Sequence, residues 1–272
     1  MQIDTTQLNT WQACGMKYYL QFVCGLKKVE EGITDIDLRF GSAVHKCKEI
    51  YYKGRGITDE QIKEVWQGFI DLPESYEERS KTRQNGIKLV QDYVALYGDR
   101  DKDWEILGVE KKIEIPIGED RYAVKLDLII KVNGNVYAVE HKTTSRISPT
   151  FFSKFSPNTQ ISAQTAACIQ EYGECSGVIV NALETGFHSN FQREIVNRTK
   201  EQVEDFKTNV MMEIAKLKTD TQMGLFGKHE QRCHDYKSGC QFKELCISCA
   251  DESVLSNLYE KVEDPYAYLK EV

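Results

Sequence analysis

The sequence predicts an α/β protein with a mixed central sheet flanked by helices, and two observations carry the prediction. Tyr122 to Thr144, YAVKLDLIIKVNGNVYAVEHKTT, reads as a β-hairpin. Val124, Leu126, Leu128 and Ile130 alternate with Lys125, Asp127 and Ile129, the period of a strand with one buried face. Asn133-Gly134 signals a two-residue type I′ turn. Segments with helix caps and apolar helical periods precede and follow this hairpin, so strands and helices alternate along the chain.

Taken in order, Thr5 or Thr6 caps a helix running to about Phe22, and Leu38 to Tyr52 forms a second helix carrying His45. Thr58-x-x-Gln61 is a capping box for a helix through Ile70. Lys81 to Tyr97 is another helix. Lys46, Lys48, Lys53, Arg55, Arg79, Lys81 and Arg83 make this helical part a candidate basic wall for a polyanion, although scattered charges more often mark a solvated helix face. Trp104 to Ile117 is the first long strand, turning at Gly118-Glu119-Asp120 into the hairpin. Glu110 on it reads as an exposed strand residue rather than an accessory acid. Phe151 to Phe155 is a short aromatic segment. Asn158 to Tyr172 is a helix closed by Gly173. Ser176 to Leu183 and His188 to Val196 are two more strands. Thr199-x-x-Gln202 caps a long helix to about Lys218. From Gln222 to Ala250 apolar periodicity fades and cysteines appear, Cys233-x6-Cys240-x5-Cys246-x2-Cys249. A metal held by thiolates can replace the core that so short a segment lacks. After Asp251 the sequence reads as a short helix and a loose acidic end.

The hairpin makes a chemical statement. With Asn133 and Gly134 as the loop, Val132 pairs with Asn135 and Asp127 falls opposite Glu140, their Cβ atoms roughly 4.5–5.5 Å apart. Lys142 shares their face. Val124, Leu126, Leu128, Ile130, Tyr137 and Val139 form the other face, a core. Facing carboxylates repel, and a divalent cation between them turns the pair into a hard oxygen site for Mg²⁺ or Mn²⁺. The bland reading is two exposed acids partly neutralised by Lys142. A one-residue slip of register would put Asp127 opposite His141 instead. His45 is an acceptable Mn²⁺ ligand beside two carboxylates, and Gly41, four residues earlier, permits close approach of a backbone or phosphate.

Composition bounds the class. The chain has 272 residues, 41% hydrophobic and 28% charged, which suits one large domain or one domain with a small appendage. No apolar run is long enough to span a membrane, and the N-terminus lacks the form of a signal peptide, so a cytoplasmic protein without membrane partners is expected. Nine cysteines in such a chain argue against a disulfide framework. A formal net charge of −7 gives no support to nucleic-acid binding, but a basic channel local to one cleft would suffice for it.

These residues resemble the PD-(D/E)XK nuclease superfamily, in which an Asp and an E-x-K on adjacent strands hold a catalytic metal. Asp127 and Glu140-His141-Lys142 supply that pattern. Gly41-Ser42-Ala43-Val44-His45 resembles the G-x-x-x-H motif of the RecB-like branch, and Gln160 matches the Gln of its Q-x-x-x-Y motif. Gln164 stands at the Tyr position, a departure. The opening TWQACGMKYYLQF and the ending around Cys233, Cys240 and Cys246 resemble the RecB-like nucleases whose N-terminal Cys and three C-terminal Cys bind a [4Fe–4S] cluster. The resemblance implies a restriction-endonuclease-like fold and a metal-dependent DNA nuclease, an exonuclease on single strands or ends acting in recombination, repair or CRISPR spacer acquisition.

It also implies roles. His45, Asp127, Glu140 and the backbone carbonyl of His141 hold Mg²⁺ or Mn²⁺. Lys142 orients the attacking water or stabilises developing charge, and Gln160 positions DNA or Lys142. Cys14, Cys233, Cys240 and Cys246 hold the cluster. Structural Zn²⁺ is the rival metal, and Cys249 competes with Cys246 as a ligand. The expected organisation is an iron–sulfur lobe from residues 1–30 and 220–250, a nuclease core at 31–219 with a helical insert at 53–98, and a tail at 251–272. Partners are DNA and, on the same ground, another copy of the chain or a helicase or recombination protein. The rival class is a catalytically inactive DNA- or partner-binding module, favoured mildly by Gln164 and the acidic charge.

Overall fold

The computed structural model describes residues 1–29, 36–71, 81–186, 188–235 and 239–266. In chain order its elements are β1 (Gln2–Asp4), α1 (Thr5–Ala13), α2 (Gly15–Tyr18), a π-helical turn (Tyr19–Val23), β2 (Leu26–Lys28), α3 (Ile36–Gly54), α4 (Asp59–Gln67), α5 (Arg83–Tyr97), β3 (Glu105–Ile117), β4 (Asp120–Val132), β5 (Asn135–Thr144), a 3-10 turn (Phe152–Phe155), α6 (Thr159–Tyr172), β6 (Val178–Glu184), β7 (Asn190–Val196), α7 (Lys200–Met223), a 3-10 turn (Glu230–His234), α8 (Lys243–Ile247), α9 (Glu252–Leu258) and β8 (Tyr259–Lys261). They form two compact units, residues 1–32, 116–123 and 205–272 in one, 33–115 and 124–204 in the other. Among the described residues no helix is long and apolar enough to cross a membrane.

The second unit holds a mixed sheet. β3 pairs with β4, and β4, β5, β6 and β7 follow as neighbours. The β4/β5 pair is the expected hairpin, with Val132 opposite Asn135 and Leu128 opposite Val139. Asn133 and Gly134 have φ of 51° and 80°, the positive values that a type I′ turn requires at both positions. The register slip does not occur. β5 and β6 are parallel, with Glu140 beside Val180 and His141 beside Asn181, and a parallel pair needs a crossover, here α6. β6 and β7 are antiparallel.

One face of this sheet packs Leu128, Ile130, Val139, Ile179 and Leu183 against α3, α4 and α5 through Phe40, Val44, Trp66, Leu89 and Tyr93. Gly86 lets α5 approach α4, because a methyl there would run into the Trp66 indole. The opposite face, which carries Glu140, is met by α6. That helix starts at Asn158, whose side chain accepts from the Ile161 amide, and stops at Gly173 in the left-handed region. The expected capping boxes form at Thr58 with Gln61 and at Thr199 with Gln202. The helix expected to reach Ile70 stops earlier, at Gln67 with Gly68 as its cap.

In the first unit, β1 runs parallel to the start of β4, with Ile3 beside Tyr122, and Phe206 of α7 meets the Tyr122 ring edge-on. The single helix expected from Thr5 to about Phe22 is broken. Asp4, not a threonine, caps α1 by accepting from the Gln7 amide, and Cys14 is extended at φ −164°, ψ 113° before α2 begins. The tail is not wholly loose either. After α9, β8 pairs antiparallel with β2, Lys28 beside Tyr259, and Tyr259 joins Leu20, Phe242 and Leu245 in a small core.

Candidate active site

The site belongs to the second unit and is built on the β4/β5 hairpin. Asp127 lies one residue before Leu128, where the β4/β5 pairing begins, so the expected Asp127–Glu140 pair falls just beyond the ladder, and the backbone N–H of His141 donates to Asp127 Oδ2 at 2.9 Å. His45, from α3, places Nδ1 3.5 Å from Asp127 Oδ1 and Nε2 3.0 Å from the His141 carbonyl oxygen. Glu110 of β3 completes a trio. One ligand atom each from His45, Glu110 and Asp127 lie within 4.8 Å of one another.

Glu110 is therefore misread as an ordinary exposed strand residue. Its φ of 53° puts a non-glycine residue in the left-handed region in mid-strand, which redirects the side chain at some energetic cost. Its carboxylate also pairs with Lys125 at 2.8 Å. No sequence feature signals that backbone reversal.

Glu140 stands beside this trio and is only 2% exposed, so the solvated-face reading fails for it. Its carboxylate is held by α6. Gln160 Nε2 donates to Oε1 at 2.9 Å, and Gln164 Nε2 donates to Oε2. The spacing of four places both amides on one helix face. Lys142 Nζ lies 2.5 Å from Glu140 Oε1 and donates to Gln160 Oε1 at 3.1 Å. Gln160 thus touches both the acid and the lysine. Gln164, the departure from the motif, supplies a donor to the buried carboxylate.

Electrostatics separates the two acids. Burial pushes the Asp127 carboxyl up, but the hydrogen bond and charge of His45 and the His141 contacts outweigh it and hold it near 2. Burial, then the charge of Asp127, pushes Glu140 up against the pull of Lys142. Burial lowers His45, but Asp127, Glu140 and Glu110 raise it overall. Two carboxylates beside Asp127 and a hard-to-soft set of oxygen and imidazole donors fit a divalent cation such as Mg²⁺ or Mn²⁺.

The basic wall is corrected in part. Lys48 is 2% exposed and lies over the Tyr93 ring, so it faces no solvent. Lys46 and Lys53 both pair with Glu49, and Lys81 pairs with Asp37. Arg83 donates to the carbonyls of Gln67 and Phe69. Arg79 lies outside the described residues. A methyl on Gly41 would sit 3.6 Å from Thr143 Oγ1, an ordinary contact, so glycine is not sterically required there.

All nine cysteines are free thiols; Cys14, Cys24, Cys233, Cys240, Cys246 and Cys249 belong to the first unit, and Cys47, Cys168 and Cys175 to the second. Burial raises the Cys233 thiol, and the charges of Cys240 and Cys14 raise it further. Burial also raises Cys246, with Cys240, Cys14 and Cys233 adding to it against Lys228. The charges of Cys14 and Cys240 thus reach both Cys233 and Cys246, but among the described residues no three of these sulfurs lie within 4.8 Å of one another. The break at Cys14 ends α1 there, and its Sγ lies 3.8 Å from the Gly227 carbonyl oxygen. Cys240 N donates to the Cys233 carbonyl at 2.9 Å. Cys249 is exposed.

Comparison with known proteins agrees with this geometry. A family model described as the PD-(D/E)XK nuclease superfamily matches residues 3–247, and the chain belongs to that superfamily. The crystal structure of a "Putative exonuclease" from Eubacterium rectale aligns with a TM-score of 0.56 at 12% identity, covering 84% of each chain. At that identity the likeness speaks to the restriction-endonuclease-like fold alone. LHK-Exo, solved in complex with dAMP, is more distant, with a TM-score of 0.32 and 11% identity over 69% of this chain and 95% of that one. It carries no argument. A search of curated proteins finds no match.

Proposed function

We propose that this protein is a divalent-metal-dependent deoxyribonuclease, an exonuclease on single-stranded DNA or DNA ends. The observation that carries the reading is one neighbourhood holding the His45–Glu110–Asp127 trio and a lysine, Lys142, held by Glu140 and Gln160. His45, Asp127, Glu140 and the His141 carbonyl would hold Mg²⁺ or Mn²⁺, with Glu110 as a further oxygen donor. A bound divalent ion lowers the pKa of water and offsets charge on the phosphate.

The protein's own groups do the positioning. The His141 N–H fixes the Asp127 carboxylate. Gln160 and Gln164 fix Glu140, and through Glu140 and Gln160 the Lys142 ammonium is aimed at the place where an attacking water or a phosphate oxygen would stand. DNA affinity comes from backbone phosphates rather than bases. Recombination, repair or spacer acquisition is the setting such chemistry serves, with a helicase, a recombination protein or a second copy as partner. Nine free thiols suit the reducing cytoplasm.

The resemblance of the terminal cysteines, with the charges of Cys14 and Cys240 reaching Cys233 and Cys246, supports a second part of the reading. Cys14, Cys233, Cys240 and Cys246 would hold a [4Fe–4S] cluster. Four soft thiolate donors suit a thiophilic metal centre. Zinc satisfies the same donors, and metal analysis separates the two.

Digestion of end-labelled linear and circular single strands in Mg²⁺ tests the function. The expected result is nucleotide release from the linear strand alone, abolished by a chelator. Equal cutting of the circle removes the exonuclease reading. No cutting of either strand in Mg²⁺ or Mn²⁺ favours the binding module instead.

A further inference from the structure

His141 occupies the middle position of the E-x-K, and its side chain points away from the acids into the core. It is 2% exposed, as buried as Glu140. Its ring stacks on Tyr52 with centroids 5.7 Å apart and planes 10° from parallel. Its Nδ1 lies 2.8 Å from Asn181 Nδ2, on the residue directly beside it in β6.

The direction of that hydrogen bond follows from its neighbours. Arg193 clamps Asp101 with two bonds, 2.6 and 2.8 Å, and its Nε donates to Asn181 Oδ1 at 3.3 Å. Asn181 Oδ1 is therefore the acceptor and Nδ2 the donor. One Nδ2 hydrogen goes to Tyr93 Oη at 2.9 Å, and the other goes to His141 Nδ1. The imidazole must then carry its proton on Nε2. Tyr93 Oη also accepts from Arg193 at 2.7 Å, so it donates to Tyr52 Oη at 2.7 Å, and Tyr52 donates to Asp101 at 2.9 Å. His141 Nε2 has no hydrogen-bond partner among the described residues, so Asn181 is the ring's single polar anchor there.

This chain of polar groups lies in an otherwise aromatic and aliphatic core. Burying such groups is costly unless each is satisfied, and an apolar residue at 141 would avoid the cost. The backbone of the same residue holds Asp127 through its N–H and faces His45 through its carbonyl. We propose that the His141 side chain is a positioning residue for the metal site, its ring locked by Asn181, Arg193 and Asp101 so that the backbone of residue 141 points its N–H and carbonyl at the site. The inference rests on the metal reading above.

Two substitutions separate positioning from packing. His141→Phe keeps the ring and its stack on Tyr52 but loses the acceptor. His141→Asn loses the ring but keeps an acceptor near the Nδ1 position. With folding checked by circular dichroism, Mn²⁺ titration of the full chain should show affinity falling about 10- to 100-fold in His141→Phe. His141→Asn should stay within a few-fold of wild type. The reverse order, or His141→Phe binding like wild type, overturns the proposal. Because either variant can fail to fold, ¹⁵N spectra of the wild-type histidines provide a second test. They should show the Nε2–H form for His141, and an Nδ1–H form overturns the anchor. Wild-type protein that binds no Mn²⁺ rejects the metal reading and this inference together. Mn²⁺ bound equally by wild type and His141→Phe rejects this inference alone.

Discussion

Across the hairpin, the His141 backbone N–H donates to Asp127 Oδ2 at 2.9 Å, so one strand's main chain fixes the other strand's carboxylate. Asp127 is held by backbone and His45, whereas Glu140 is held by helix side chains. The two acids of the motif thus have different supports, and substitutions should separate them.

Lys142 is held by Glu140 and Gln160. Lys142→Ala is expected to lower kcat about 10²- to 10³-fold while Mn²⁺ affinity persists, since an ammonium is not a ligand. Calorimetry showing a loss of Mn²⁺ binding as large as that of Asp127→Ala would contradict the division of roles.

Gln164 donates to a carboxylate that is almost wholly buried. Gln164→Leu should therefore destabilise the fold by about 1–3 kcal/mol and reduce cleavage, because Glu140 loses one of its two amide donors. Urea unfolding of the variant at neutral pH measures the first effect. An unchanged midpoint would mean that the second amide is dispensable.

The metal-free protein should be sensitive to His45. Burial lowers its pKa, but Asp127, Glu140 and Glu110 raise it above the ordinary 6.5 overall. A raised folded pKa contributes stability fully below pH 6.5 and loses it as pH rises through the folded value. With chelator present, Tm should decline above pH 6.5 more in wild type than in His45→Gln. Parallel curves would show that the His45–Asp127 contact does not contribute.

On the proposal that Cys14 is a cluster ligand, replacing it should remove absorption near 400 nm, a rough expectation for thiolate-bound iron–sulfur centres, and loosen the C-terminal segment. Cys168→Ser should leave the colour, since Cys168 lies in α6. Colourless wild-type protein with stoichiometric zinc would replace the cluster with a zinc site.

The hairpin was legible because its signals are local. Asn133-Gly134 sets the turn, and the period-two apolar face of β4 permits one register. Asp127, Glu140 and Lys142 follow from that register. What α6 does to Glu140 was not legible, because it depends on how a helix packs on the sheet rather than on either sequence. Glu110 reads as an exposed strand residue over the accessory-acid alternative because its left-handed φ leaves no mark in the residue types around it. The charge of Lys48 predicts a surface cation, but the residue lies on α3's buried face over an aromatic ring. The helix break at Cys14 and the β2/β8 pair were hidden for the same reason: short elements are fixed by their tertiary neighbours.

The central claim is that the Asp127 site hydrolyses DNA with a bound divalent ion. Cleavage of an end-labelled linear single strand in Mg²⁺ by wild type and by folded Asp127→Ala tests it most directly. The account predicts metal-dependent digestion by wild type and its abolition in Asp127→Ala. Digestion by Asp127→Ala at near wild-type rate would contradict it.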